Sequence, residues 1–307
     1  MRLATLRGPD GSLRPALATG GLHVDLAQVV AATGLRLSQL DASPEWSDPA
    51  GVLRLLRDWD EVTPLLERCA EAAPDLLARG MLEPAVAVLG SPVPRPGKVV
   101  CVGLNYADHA RETGQQVPAS PVLFAKFTTC VIGPADDVVR PLGVTDLDYE
   151  AELAVVVGRR ARHVDAAAAL SVVAGYCCAN DVSARGPQLN DGQWVRGKSF
   201  DTFCPLGPAL VSACEVPDPQ ALGIRCRVDG ATRQDSTTAQ MVFGVAELVA
   251  FCSRAFTLEP GDVILTGTPP GVALGHDPAP WLQPGQTCEV EIDGLGSLRN
   301  RIIDEAR

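Results

Sequence analysis

The sequence predicts a strand-rich α+β fold: a domain of about two hundred residues, built as a sandwich or roll, behind a small α/β N-terminal module. Three observations carry that expectation. From Val99 onward, short β-like runs alternate with Gly/Pro turns, as in "VVCVGL", "VLFAKF", "ELAVVVG", "LSVVAGYCCA", "IRCRVDG", "DVILTGT" and "CEVEIDGLG". Few stretches read as longer helices, the best being "NYADHARETG", "VDAAAALSVV" and "MVFGVAELVAFCSRAF". Ahead of them, the proline-punctuated "SPVPRPGK" (91–98) reads as a stiff connector between domains.

Residues 1–90 form the expected N-terminal module and 99–307 the main domain. In the module, "LRPALATGGLHVDLAQVV" reads as two short strands around Gly20-Gly21 leading into a helix. Val52, Leu55, Leu56, Trp59 and Val62 follow helical spacing, which Pro64 is expected to interrupt.

Composition narrows the function. The 307 residues are 46% hydrophobic and 21% charged, with a net charge of −11. So acidic a surface repels nucleic acid and anionic membranes, so neither is an expected partner. The opening "MRLATLRGPDGSLRP" lacks the apolar core of a signal peptide, and no apolar run approaches the ~18 residues of a spanning helix. Ten cysteines are scattered without a C-x-x-C pair, several inside apolar runs such as "VVCVG" and "AGYCCAN". They read as free, small hydrophobic thiols in a reducing cytosol.

One motif is a decoy. "GQWVRGKS", Gly192 to Ser199, satisfies the phosphate-loop pattern G-x-x-x-x-G-K-[ST]. That loop needs a buried strand before it and a helix N-terminus after it. Here "ARGPQLND" precedes it, polar and turn-like, and "FDTFCPLGP" follows, where Pro205 and Pro208 forbid a regular helix. Lys198 therefore needs another role.

The chemistry starts from "DLDYEAELAVVVG", which puts Asp148, Glu150 and Glu152 at alternate positions and so on one face of an extended strand. The run Leu153–Val157 is apolar throughout, as in a strand buried on both faces. Carboxylates crowded at the mouth of such a strand require a proton or a cation. A second apolar run, "VVAGYCCAND", ends on Asp181. Glu150, Glu152 and Asp181 could together make an all-oxygen site suited to Mg²⁺ or Mn²⁺. Within "NYADHARETG", His109 and Glu112 are i and i+3 on a short helix stopped by Gly114. They read either as an exposed surface pair or as an imidazole oriented by a carboxylate to take a proton from water.

Taken in order, "VGLNYADHARE", "PVLFAKF", "DYEAELAVVVG", "GYCCANDVSARGPQ", "GKSFDTFCPLGP", "LEPGDVILTGTPPGV" and "VEIDGLGSLRN" resemble the fumarylacetoacetate hydrolase family over roughly residues 97–303. The resemblance implies a mixed β-roll with a metal at its mouth, preceded by an N-terminal module of the kind found in many bacterial members. It implies Mg²⁺ or Mn²⁺ on Glu150, Glu152 and Asp181, with Asp148 outside the ligand set. It also implies a catalytic dyad of His109 and Glu112, a catalytic Lys198, pocket residues Arg185 and Gln188, and a substrate-carboxylate contact at Thr268. A cytoplasmic homodimer acting on a small anionic oxo acid is the expected assembly.

The expected reaction is hydrolysis of a carbon–carbon bond in a 1,3-diketo acid: an acylpyruvate, a fumarylpyruvate-like acid or a 2,4-dioxo sugar acid. The metal polarises the chelating oxo acid, Lys198 faces the developing enolate, and His109 activates water. Decarboxylation of oxaloacetate and isomerisation or decarboxylation of oxo-diacids use the same metal site and remain open. A metal-binding scaffold without turnover is the reading from another class, and the presence of His109, Glu112 and Lys198 weighs against it. Three departures from the family pattern bear on substrate: Gly186 where many members have Asp, Leu104 where some have Arg, and "GVALG" beside Thr268.

Overall fold

Strand pairing organises the whole chain. The computed structural model describes residues 1–37, 55–86, 88–112 and 116–306; the side chains of His109 and Ala110 lie outside the description. In chain order the first elements are β1 (Arg2–Arg7), β2 (Leu13–Thr19), β3 (Leu22–Asp25), α1 (Leu26–Thr33), α2 (Trp59–Ala78) and β4 (Val88–Gly90). Next come β5 (Val99–Gly103), α3 (Ala107–Glu112), β6 (Val122–Lys126), β7 (Val131–Ile132), β8 (Val138–Arg140), β9 (Leu147–Asp148) and β10 (Ala151–Val157). They are followed by α4 (Ala166–Ala169), β11 (Val173–Asn180), β12 (Ser183–Ala184), α5 (Arg185–Asn190), α6 (Val195–Lys198) and β13 (Cys204–Ser212). The chain closes with β14 (Gly223–Val228), β15 (Ala231–Thr237), α7 (Val245–Ala255), β16 (Val263–Leu265), β17 (Thr287–Ile292) and β18 (Gly296–Asp304).

The strand-rich α+β expectation holds. An 11-stranded mixed sheet runs β3-β2-β1-β13-β11-β10-β16-β5-β6, with β4 on β1 and β7 on β13. A 5-stranded sheet, β15-β14-β17-β18-β8, and the small pair β12-β9 complete the framework. Pairs β16·β5, β18·β8 and β13·β7 are parallel and the others antiparallel. The N-terminal meander joins the main sheet directly, since Arg2 pairs with Val211 and Leu3 with Leu210. Within segment 91–98, Ser91 and Val93 are buried.

The centre of the sheet explains the apolar runs. Every residue of β10 and of β11 is buried, so neither strand shows the alternation of a half-exposed strand. Full burial of one such Val or Leu side chain contributes about 1.5–3 kcal/mol, so this pair is the stiff floor on which the site is built. All described cysteines are free thiols, and all but Cys214 are buried.

The helices differ from expectation in three places. Helix α2 runs through both Pro64 and Pro74 instead of stopping at Pro64. Asp60, whose carbonyl loses its partner at Pro64, is exposed and can turn that group to water. "VDAAAALSVV" gives only one turn, α4, and a 3₁₀ segment, because Val173 already enters β11. "ARGPQLND" is not a turn but contains helix α5, where Pro187 falls in the tolerated first turn. Val52 and Gly114 lie outside the described residues.

Candidate active site

The register of β10 against β11 assembles the carboxylates. Ala151 pairs with Asn180 and Glu152 with Ala179, so the start of one strand meets the end of the other. The Asp181 N–H donates to the Glu150 carbonyl at 2.9 Å, and the Asn180 side chain accepts from the Glu150 N–H at 3.0 Å. Glu150, Glu152 and Asp181 thus place one carboxylate oxygen each within 4.8 Å of the others, and all three are buried.

Three cations compensate them. Lys198 Nζ bridges Glu150 Oε2 at 2.8 Å and Asp181 Oδ2 at 2.9 Å. Lys126 Nζ donates to the other oxygen of Asp181 at 2.6 Å and to the Val182 carbonyl at 3.2 Å. Arg185 Nη2 reaches Asp148 Oδ2 and Glu150 Oε1, both at 2.7 Å, while its Nη1 donates to Gln188 Oε1 at 2.9 Å. Asp148, expected outside the ligand set, lies behind this layer. It is fully buried and accepts from the backbone N–H groups of Tyr149, Ala273 and Leu274 as well as from Arg185. Its job is to hold Arg185 and to tie the 273–274 backbone to β9.

Glu152 is the exception. Its recorded hydrogen bond comes from the Gly267 N–H at 2.7 Å, and no lysine or arginine pairs with it among the described residues. Burial, then the charges of Asp181 and Glu150, push its carboxyl well above the usual range. For Glu150, burial pushes up too, but Lys198 and Arg185 together outweigh it and hold the carboxyl below that range. For Lys126, burial pushes down, but Asp181 together with Cys130, Cys204 and Cys101 outweighs it and holds the ammonium above the usual lysine range. Four buried carboxylates against three cations leave Glu152 for a proton or a further cation. An all-oxygen donor set of this kind fits a hard divalent ion such as Mg²⁺ or Mn²⁺.

Above the cluster is a cavity of about 90 Å³ with two unlike ends. Glu150, Arg185, Gln188, Lys198 and Thr268 supply the polar end; Val102, Leu104, Phe124, Trp194, Val272 and Leu274 line the remainder. Phe124 and Trp194 meet edge to face at 5.3 Å, and Lys198 Nζ lies 5.2 Å from the Phe124 ring centroid. Leu104 adopts a positive φ of 57° at this wall. Gly186 donates its N–H to Asp146 Oδ2 at 2.6 Å, so the loop that departs from the family pattern is anchored by a carboxylate from another segment.

The decoy motif resolves here. Gly197 sits where an added Cβ would lie 2.5 Å from the Gln188 nitrogen and 2.7 Å from the Ala184 carbonyl oxygen. Its glycine serves close packing of α6 on α5, which carries Lys198 to the carboxylates instead of to a phosphate.

Helix α3 carries His109 and Glu112. Glu112 accepts from the Gly271 N–H at 3.0 and 3.1 Å through its two oxygens, which pins α3 to the loop beyond Thr268. The structure therefore brings Glu150, Glu152, Asp181, Lys198, Arg185, Gln188 and Thr268 to one cavity and its floor, with Glu112 held against the adjoining loop. Two residues escaped sequence reasoning. Lys126 is the last residue of the edge strand β6 and its one buried position, and a lysine set among apolar residues is a signal that an anion waits there. Gln234, buried on β15, binds Thr268 and carries no such signal.

Known proteins resemble this chain in sequence and in fold. The fumarylacetoacetate hydrolase C-terminal family model matches residues 98–303. The human mitochondrial oxaloacetate tautomerase FAHD2A is 49% identical over 215 residues, covering 69% of this chain and 68% of the human one. Among solved structures, the fumarylacetoacetate hydrolase of Exiguobacterium antarcticum superposes with a TM-score of 0.79 at 32% identity, covering 99% of this chain and all of its own. Maleylpyruvate hydrolase from Sphingobium sp. SYK-6, solved with manganese(II) and pyruvate, gives 0.77 at 29% identity with both chains fully covered.

Proposed function

Because the chain belongs to the fumarylacetoacetate hydrolase family, we propose that it is a divalent-metal-dependent enzyme acting on small 2-oxo acids through their enolates. We favour keto–enol interconversion of an oxaloacetate-type acid as the reaction. The observation that carries this reading is the convergence of Lys198 and Arg185 on Glu150, with Lys198 also on Asp181, at the floor of a small cavity. The relative at 49% identity is named an oxaloacetate tautomerase, which supports a small oxo-diacid as the substrate class.

Glu150, Glu152 and Asp181 are the residues that would hold Mg²⁺ or Mn²⁺. Once bound, such an ion supplies Lewis acidity toward the oxygens of a 2-oxo acid. The rest is done by the chain. Lys198 offers a positive N–H to the oxygen on which enolate charge develops, in a pocket where low polarity strengthens the interaction. Arg185 and Gln188, locked to each other, orient the substrate; Thr268 donates its hydroxyl to a carboxylate oxygen. His109, on the same helix as the pinned Glu112, moves the proton. The apolar wall keeps bulk water from the enolate.

Hydrolysis of an acylpyruvate is the second reading, favoured by the H-x-x-E arrangement on α3 and by the maleylpyruvate hydrolase neighbour. In that case His109 takes its proton from water. Incubation with Mg²⁺ or Mn²⁺ and either enol-oxaloacetate, acetylpyruvate or fumarylpyruvate, followed by product analysis, decides. Faster enol loss without new carboxylic acids supports tautomerisation; two acids from one substrate support hydrolysis; no turnover of any substrate defeats both. A His109→Ala protein with full activity would remove the proposed role of His109.

A further inference from the structure

Thr268 lines the cavity, but what its hydroxyl can recognise is decided one layer behind it. Gln234, 1% exposed, donates from Nε2 to Thr268 Oγ1 and to the Pro269 carbonyl, both at 2.8 Å, and accepts from the Ala151 N–H at 2.9 Å through Oε1. Two of these partners can act only one way. A backbone N–H must donate and a backbone carbonyl must accept, so the Gln234 amide has a single permitted orientation. Thr268 Oγ1 is therefore obliged to accept from Gln234. Its own proton is left to donate, and no acceptor takes it among the described residues.

The backbone enforces the arrangement. Between β14 and β15 the register shifts from Cys226↔Gln234 to Arg227↔Thr232, which leaves Arg233 as the extra residue of a bulge. The Arg233 carbonyl then presses on Gly271, where φ is +100° and an added Cβ would lie 2.0 Å from that oxygen. Gln234 is thereby docked against the loop that carries Thr268. It also touches Ala151, between Glu150 and Glu152.

We propose that Gln234 is a positioning residue that sets the hydrogen-bond polarity of Thr268, so that the cavity presents an O–H donor and selects ligands offering an anionic oxygen. This rests on the reading of Thr268 as a substrate contact.

Calorimetric titration of the Mn²⁺-loaded protein with oxalate, a planar dianion resembling a 2-oxo acid enolate, tests it. Variants Thr268→Val, Gln234→Met and the double variant are compared, each with its melting temperature. The expected result is that both single variants weaken oxalate about tenfold, the worth of one hydrogen bond to a charged group, and that the double variant is no weaker than either. The same pattern should appear in KM, with kcat changing far less. If Thr268→Val leaves oxalate binding intact, the substrate-contact reading fails and the proposal with it. If Thr268→Val weakens binding but Gln234→Met does not, or their losses multiply, the contact stands and the role of Gln234 is overturned. Should Gln234→Met fail to fold, Gln234→Glu is the substitute. Its carboxylate still accepts from Ala151 but captures the Thr268 proton, so oxalate binding must fall at least as far; unchanged binding overturns the proposal.

Discussion

The Asp181 N–H and the Glu150 carbonyl are hydrogen-bonded at 2.9 Å, which fastens the carboxylate-bearing ends of β10 and β11 side by side through the backbone. A site so built pays little ordering entropy when a cation arrives. Addition of Mn²⁺ or Mg²⁺ to metal-stripped protein should therefore raise its melting temperature. The gain is about 2.7 kcal/mol at a hundredfold excess over Kd. Asp181→Asn should abolish most of that shift in a thermal scan. A variant that still responds like the parent protein would place the metal elsewhere.

Lys126 and Asp181 form a buried pair, each almost fully shielded from solvent. Removing one partner of a buried pair costs about 3–5 kcal/mol. Lys198 still bonds Asp181 when Lys126 is lost, which puts the cost at the lower end of that range, and removing both partners costs less. Lys126→Met should thus destabilise the protein strongly in denaturant unfolding. Combining it with Asp181→Asn should recover part of the loss. Additive losses would mean that the two side chains do not act as a pair.

Glu152 gives the metal-free protein a distinctive pH response. Its carboxyl is raised by burial and by Asp181 and Glu150, so the folded state prefers it neutral. Below the ordinary carboxylate pKa, about 4.3, it is protonated in both states and its contribution is complete. As pH rises from there toward the raised folded value, the unfolded chain ionises first, and that stability is lost. Glu150 is depressed and acts in the opposite sense, losing stability as pH falls. Comparing the parent with Glu152→Gln isolates the first effect. In chelator, the parent's unfolding free energy relative to the variant should fall with rising pH, and Mn²⁺ should remove the fall. A pH-independent difference would show that Glu152 is not the strained carboxylate.

Much of this site was legible because its signals are local. Glu150 and Glu152 stand two apart at the mouth of a fully apolar run, and Asp181 closes another, so register alone had to join them. The role of Asp148 was less visible: position two residues earlier predicts a shared face, but not that Arg185 and three backbone N–H groups would claim its oxygens. Gln234 could not be read, because its importance comes from a bulge and a contact between segments far apart in sequence. The helix limits failed for a related reason. Pro64 is compatible with a helix when the carbonyl it strands can reach water, and that exposure is a tertiary property.

Gly197 and Gln188 show why "GKS" here is packing, not phosphate binding. The α-carbon of Gly197 comes so close to α5 that an added methyl would sit 2.5 Å from the Gln188 nitrogen, and backbone cannot yield as a flexible side chain can. Gly197→Ala should cost about 1–3 kcal/mol through overpacking. Because Lys198 follows directly and bridges Glu150 and Asp181, the same change should displace its ammonium and weaken the metal-induced rise in melting temperature. A phosphate loop makes a different forecast: ATP without divalent metal would stabilise the parent protein and lose its effect in Gly197→Ala. We expect ATP alone to leave the melting temperature of the parent unchanged. A clear ATP shift that the variant abolishes would restore the nucleotide reading.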